Sequence, residues 1–164
     1  MSATDRGPRP GEVDGRDYHF ISREEFEQLR DAGGFLEWFE VFGDLKGTLR
    51  GPVEEHLVAG QDVLVEVDVQ GARAIREALP DALLVFVRPP SREEQRERLL
   101  ARDGSADQKV LERRLAAAAE EEAHAGAFDA VVVNDDLSRA VADIAAILER
   151  RRVGTALPHD PSQG

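Results

Sequence analysis

The pattern of apolar and polar positions changes near residue 60. Beyond it, short apolar runs rich in Val and Leu alternate with stretches of helical period. The runs are residues 63–71 (VLVEVDVQG), 83–87 (LLVFV) and 128–133 (FDAVVV). Turn formers bound them: Gly60 and Gly71 around the first, Pro89 and Pro90 after the second, Asn134, Asp135 and Asp136 after the third. Such runs read as strands buried on both faces, which a parallel sheet covered by helices requires. The pattern predicts helices over 72–79, closed by Pro80, over 91–102, opened by the capping box Ser91 to Glu94, over 108–124, and a last one to about 152, capped by Asn134, Asp135 and Asp136. Residues 103–107 read as a turn and 153–164 as a polar, disordered tail.

The first sixty residues follow another plan. Residues 1–17 carry Gly7, Pro8, Pro10, Gly11 and Gly15 and read as a loop. Residues 18–21 read as a short strand. Ser22 to Glu25 is a second capping box, opening a helix to about residue 32 that Gly33 and Gly34 end. Residues 35–42 (FLEWFEVF) read as an aromatic strand interrupted by Glu37 and Glu40. Residues 43–50 read as a loop, and 52–59 as a helix that Gly60 stops in the left-handed conformation. The class expected is α/β with a mainly parallel sheet, and a loop-and-strand sub-domain ahead of it. No internal repeat is visible.

Composition narrows the picture. The chain of 164 residues suits one domain with small mobile sub-domains. Its 41% hydrophobic residues are enough for a core. No run of about 18 apolar residues suggests a membrane span, and the start lacks the plan of a signal peptide. The lack of Cys excludes disulfides and thiolate metal sites and fits a reducing, cytoplasmic location. The four His are scattered without ligand spacing, so no protein-held metal is expected. A net charge of −12 argues against a nucleic-acid partner. It permits a small anionic ligand, because basic residues can cluster locally.

Four places offer candidate binding chemistry. Arg6 and Arg9 flank Gly7 and Pro8, so a stiff turn holds two guanidinium forks close enough to grip a phosphate. Glu37 can accept two N–H donors from a guanine edge. Glu66 and Asp68 end the 63–71 run, where open α/β sheets bind ligands, and an acid there can orient a hydrated magnesium ion or a nucleotide edge. Arg98 and Arg102 share a helix face. The segment around Lys46, Gly47 and Thr48 lacks the G-x-x-x-x-G-K-[ST] order of a P-loop. On the pattern alone, plain alternatives stay open: a solvated loop, a solvent-facing Glu, a turn-forming Asp and a salt-bridged helix surface.

Several motifs taken in order carry a resemblance. They are residues 2–20 (SATDRGPRPGEVDGRDYHF), Phe35-Leu-Glu37-Trp38, Gly47-Thr48, Glu66-Val-Asp68-Val-Gln70-Gly71, Pro89-Pro90-Ser91, Arg113-Arg114-Leu115 and Val133-Asn134-Asp135-Asp136-Leu137. Together they resemble the guanylate kinase family over nearly the whole chain, to about residue 152. The resemblance implies a P-loop nucleoside-monophosphate-kinase-like parallel sheet with helices on both faces. It implies a GMP-binding sub-domain at 1–60 and a core at 61–152 with a helical lid at about 100–125. The reaction implied, in purine nucleotide metabolism, is transfer of the ATP γ-phosphoryl group to GMP, giving GDP and ADP, with Mg2+ accompanying ATP. By the same resemblance, Ser2, Glu37 and Thr48 hold the guanine base, and Arg6, Arg9 and Tyr18 hold the GMP phosphate. Asp68 lies near the base and the reacting phosphates. Arg98, Arg102 and Arg114 (or its neighbour Arg113) close as lid arginines over the transferred group, and Asn134 lies beside the ATP adenine. Phosphoryl transfer needs positioning, charge neutralisation and exclusion of water, which closing arginines supply.

The sequence also departs from the family. Members carry a strand, a P-loop and a helix ahead of the position of Ser2, and this sequence holds none of them. Met1 stands where the family has Val, as a GTG codon read as a start would give, so an upstream coding segment is expected. The chain as it stands is expected to leave strand edges and apolar faces unpaired and to be inactive alone. Asp5 replaces a Thr beside the phosphate-binding arginine, Lys46 replaces a phosphate-binding Tyr, and Leu49 replaces a Pro. The alternative function is a catalytically inactive GMP-binding or protein-interaction module. A kinase for a phosphorylated sugar is disfavoured by Glu37 and Thr48.

Overall fold

The structure is a computed structural model that describes residues 1–41, 43–103 and 108–154, the side chains of Arg102 and Asp103 excepted. The turn expected at 103–107 and the tail expected at 153–164 fall almost wholly outside these residues. The chain forms two compact units, Met1–Ala82 and Leu83–Gly164.

The first unit contains β1 (Ser2–Thr4), β2 (His19–Phe20), α1 (Arg23–Asp31), β3 (Phe35–Val41), β4 (Asp44–Leu49), α2 (Arg50–Val58) and α3 (Val69–Ala78). Its sheet runs β2-β1-β4-β3, with β1 parallel to β2 and the other pairs antiparallel. Ser22 opens α1 with a complete capping box: its side chain accepts from the Glu25 N–H, and the Glu25 carboxylate accepts the Ser22 N–H at 2.8 Å. Phe26 on the buried side of α1 stacks on Phe35, with ring centroids 4.3 Å apart. Ala3 and Leu45 complete this first core.

Two loops expected from the sequence are strands. Ser2–Thr4 lies inside the expected loop 1–17, and Asp44–Leu49 inside the expected loop 43–50. β4 does alternate, with Leu45, Gly47 and Leu49 on the core side and Asp44, Lys46 and Thr48 on the other, but its Gly and charged residues hide the period. Gly47 has a specific cause. A Cβ there would sit 2.7 Å from the Glu37 carbonyl oxygen and 2.8 Å from the Phe35 ring.

The run at 63–71 departs most from expectation. It has no regular secondary structure through residue 68 and pairs with no strand among the described residues, and α3 takes over at Val69. Val63, Val65 and Val67 pack on a second core of Leu36, Val53 and Ile75. Leu64, pointing the other way, is 88% exposed. The run is therefore buried on one face, not two, because two-sided burial needs a paired, covered sheet around it.

The second unit contains β5 (Val85–Arg88), α4 (Arg92–Asp103), α5 (Gln108–Glu122), a short 3-10 turn (Ala125–Ala127), β6 (Ala130–Val133) and α6 (Leu137–Arg152). β5 and β6 pair in parallel in full register. The Ser91 hydroxyl accepts the Glu94 N–H at 3.1 Å, and the Asp136 carboxylate accepts the Arg139 N–H at 2.9 Å, so both helices start where the sequence indicated. Ala130 and Val132 pack against Ala140 and Ile147 of α6. The fold class is mixed α/β, as expected.

The tight crossing at Gly47 yields a paired prediction. Gly47→Ala is expected to cost about 1–3 kcal/mol, because backbone rather than a flexible tip blocks the added methyl. Gly51→Ala, in α2 with nothing within 4 Å of the added carbon, is expected to stabilise by about 0.5–1 kcal/mol. Urea midpoints of the two variants check this.

Candidate functional site

A β-bulge builds the centre of the first unit's polar face. Phe35 pairs with Leu49, but Glu37 pairs with Thr48, so Leu36 is an extra residue in β3. Strict alternation would put Glu37 on the same side as Phe35, in the first core. The extra residue turns Glu37 to the opposite face. Ser2 also pairs with Thr48, across β1 and β4. Residues opposite one another in an antiparallel ladder share a face, so Ser2, Thr48 and Glu37 stand side by side across three strands.

Glu37 is 8% exposed and Thr48 4%. The Thr48 hydroxyl donates to Glu37 Oε1 at 2.5 Å. Burial raises the Glu37 pKa above the ordinary carboxylate value, hydrogen bonds from Thr48 oppose the shift, and the charge of Asp68 adds to it. Asp68 caps α3, its Oδ1 accepting the Gly71 N–H at 2.8 Å. An oriented acid beside two hydroxyls can accept the paired N–H donors of a planar edge, and a base that presents an acceptor there would leave the acid unpaired.

Arg6 and Tyr18 form a second cluster. The Arg6 guanidinium lies 5.3 Å from the Tyr18 ring centroid and 5.6 Å from that of Phe20. Glu12 grips it with two bonds, of 2.7 and 2.6 Å, and also accepts the Arg9 N–H at 2.7 Å. These bonds lower the Glu12 pKa to about 2, the Arg6 side chain first and the Arg9 amide second. The Arg6 Nε is buried and has no partner. Glu12 is therefore a member of this cluster that sequence reasoning passed over. Its one signal was an acid three positions beyond Arg9 in the same glycine-rich loop. Arg9 itself is exposed.

Asp5 turns away from this cluster. Its Oδ1 accepts the Leu45 N–H at 2.6 Å, and its Oδ2 pairs with Arg23 at 3.0 Å. The extra negative charge expected beside Arg6 is thus spent on the β3–β4 hairpin.

In the second unit, a cleft of about 280 Å³ opens at the carboxyl ends of β5 and β6. Arg88, Arg98 and Asn134 line it. Arg98 donates to the Asn134 carbonyl oxygen and to Glu94, both at 2.9 Å. Arg98 and Asn134 are therefore brought together, where a parallel sheet offers a ligand site. Arg88, whose buried Nε has no partner, was not foreseen. Arg114 and its neighbour Arg113 lie exposed on α5, and the side chain of Arg102 lies outside the described residues.

The mixed α/β fold is of the nucleoside-monophosphate-kinase kind. The guanylate kinase sequence family matches residues 1–151. The guanylate kinase of Symbiobacterium thermophilum is 52% identical over 155 residues, 94% of this chain and 73% of that protein. That of Rubrobacter xylanophilus is 51% identical over 150 residues, covering 92% and 78%. The crystal structure of guanylate kinase from Anaplasma phagocytophilum superposes with a TM-score of 0.72 at 36% identity, covering 91% of this chain and 72% of that one. The chain belongs to the guanylate kinase family.

The Glu12 clamp carries a pH signature. Its pKa is lower folded than unfolded, so its stabilisation is complete above the ordinary value of 4.5 and is lost as pH falls toward about 2. Glu37 has the opposite sign: its folded pKa is raised, so its contribution to stability falls as pH rises through the range above 4.5. Urea midpoints followed from pH 6 down to about pH 2 are expected to fall less steeply in Glu12→Gln than in the unsubstituted protein.

Proposed function

We propose that this chain takes GMP as phosphoryl acceptor and ATP as donor, giving GDP and ADP. The observation that carries the GMP assignment is the row of Ser2, Thr48 and buried Glu37, with arginines of one loop nearby. Glu37 accepts the N1–H and N2–H2 donors of guanine, Thr48 fixes the carboxylate, and Ser2 borders the same edge. Adenine offers an acceptor where guanine offers N1–H, so AMP leaves the buried acid without a partner. Arg9 and Tyr18 take the phosphate, with Arg6 held beside them by Glu12. Asp68 stands near the base. On this reading residues 1–60 act as the GMP sub-domain and 61–152 as the core.

The ATP side is assigned to the second unit. The cleft at the ends of β5 and β6 is the proposed adenine position at Asn134, and Arg98, Arg102 and Arg114 are the proposed lid arginines that neutralise charge on the transferred group. Mg2+ is assigned to the ATP phosphates, its common mode in kinases. No described helix is long and apolar enough to cross a membrane, and cytoplasmic location is part of the proposal.

GMP at about a hundred times its dissociation constant is expected to raise the melting temperature by roughly 5–10 °C, and AMP by much less. Arg9→Ala is expected to abolish the GMP shift. Glu37→Gln is expected to weaken GMP binding about 10- to 100-fold. GMP affinity is also expected to fall as pH drops through the raised Glu37 pKa, because protonation removes the acceptor. Thermal shift and calorimetric titration check these, and equal responses to GMP and AMP would overturn the assignment. GMP-dependent release of ADP from ATP tests the transfer itself. GMP binding without that release would favour the binding-module reading.

A further inference from the structure

We infer that Arg23 is a positioning residue for ligand binding in this chain: by neutralising Asp5 it keeps a buried negative charge from acting on an anion held by the neighbouring loop. The inference rests on the GMP reading above. Asp5 directly precedes Arg6, where β1 gives way to that loop. It prolongs the pairing of β1 with β4: its N–H donates to the Leu45 carbonyl oxygen at 3.2 Å, and its Oδ1 accepts the Leu45 N–H at 2.6 Å. Ala3 and Leu45 face the first core together with Phe26 of α1, the helix that Arg23 opens. Arg23 therefore reaches Asp5 from the side of the sheet opposite Ser2, Thr48 and Glu37.

Three acids converge on the Arg23 guanidinium: Asp5 at 3.0 Å, Glu27 at 3.5 Å and Glu40 at 3.7 Å. The same guanidinium donates to the Gly43 carbonyl oxygen at 3.1 Å, which ties the β3–β4 hairpin to the end of β1. Exposure separates the three acids. The side chains of Glu27 and Glu40 are 45% and 58% exposed, so water and salt screen their charges without help from Arg23. The Asp5 side chain is 6% exposed. Its field is weakly screened, and the Leu45 amide alone does not cancel a full negative charge. Without Arg23 that field would oppose a dianionic phosphate monoester beside Arg6 and Arg9, and would leave a neutral base unaffected. The acid that stands at position 5 in place of the family's Thr is thus offset by the arginine at position 23.

The test compares GMP with guanosine, which shares the base but lacks the phosphate. The 164-residue chain and its variants are titrated with each ligand by calorimetry, and their unliganded melting temperatures are recorded. Arg23→Gln keeps a donor for Asp5 and Gly43 but removes the charge, and is expected to weaken GMP about three- to tenfold. Guanosine affinity is expected to stay unchanged. Adding Asp5→Asn to Arg23→Gln is expected to restore GMP affinity. Adding Glu27→Gln instead restores the same net charge, and is expected to leave GMP weak. Arg23→Lys is expected to bind GMP as the unsubstituted chain does. Unchanged GMP affinity in Arg23→Gln would overturn the inference. So would an equal loss for both ligands, or a loss that Asp5→Asn does not recover, since either marks a structural role. If Arg23→Gln does not fold, Asp5→Asn alone decides: weaker GMP binding in that variant would show that the Asp5 charge is needed and sink the idea, and affinity kept or raised supports it. If the unsubstituted chain binds neither ligand, the GMP reading itself fails. If it binds both and Arg23→Gln binds them equally well, only the role of Arg23 fails.

Discussion

The one-residue bulge at Leu36 governs the first unit. β3 must supply apolar side chains to two cores and an acid to a polar face within three consecutive residues. A regular strand has only two faces and would bury Glu37 beside Phe35 and Phe26, where an acid has no partner. The inserted residue resolves this: Phe35 enters the first core, Leu36 the second, and Glu37 meets Thr48. Gly47 serves the same crossing, since only a residue without a side chain lets the bulged strand lie so close to β4. The acid of the site and the packing beneath it are therefore products of a single irregularity.

Electrostatics in this chain work largely by assignment of partners. Acids outnumber bases, and many of the described arginines are held by carboxylates. Glu12 holds Arg6 over two aromatic rings, and the loop containing it is fixed further by the Asp14 carboxylate, which accepts the Phe20 N–H at 2.8 Å. Such bonds order the cationic loop before any ligand arrives, so less conformational entropy is lost on binding. The same clamp occupies the fork of Arg6 with both oxygens of one carboxylate.

Signals complete within a few residues were readable in the sequence. Ser22 and Ser91 marked helix starts, Gly33 and Gly60 marked stops, and the runs ending at Arg88 and Val133 gave the parallel pair. Features that depend on a distant partner were not. β4 needed β1 and β3 on either side to turn a glycine-containing polar segment into a strand. The 63–68 segment has the composition of a strand buried on both sides, yet its burial depends on which surfaces meet it, and only its Val63, Val65 and Val67 side does. The motif resemblance named Ser2, Glu37 and Thr48, and the register brings those three together. It could not show that Glu12 occupies Arg6 or that Asp5 joins Arg23, because both depend on the path of the chain in space.

The second core has a consequence for the site above it. Leu36 precedes Glu37, and Ile75 lies on the helix that Asp68 caps, so both acids are attached to elements that meet in this core. The separation of the two carboxylates is consequently set by hydrophobic side chains that touch neither of them. α3 and β3 thus hold their polar ends in place through the contact of Leu36 with Ile75 and Val53. An apolar substitution in that core therefore reaches the polar face above it through position alone, without touching either carboxylate.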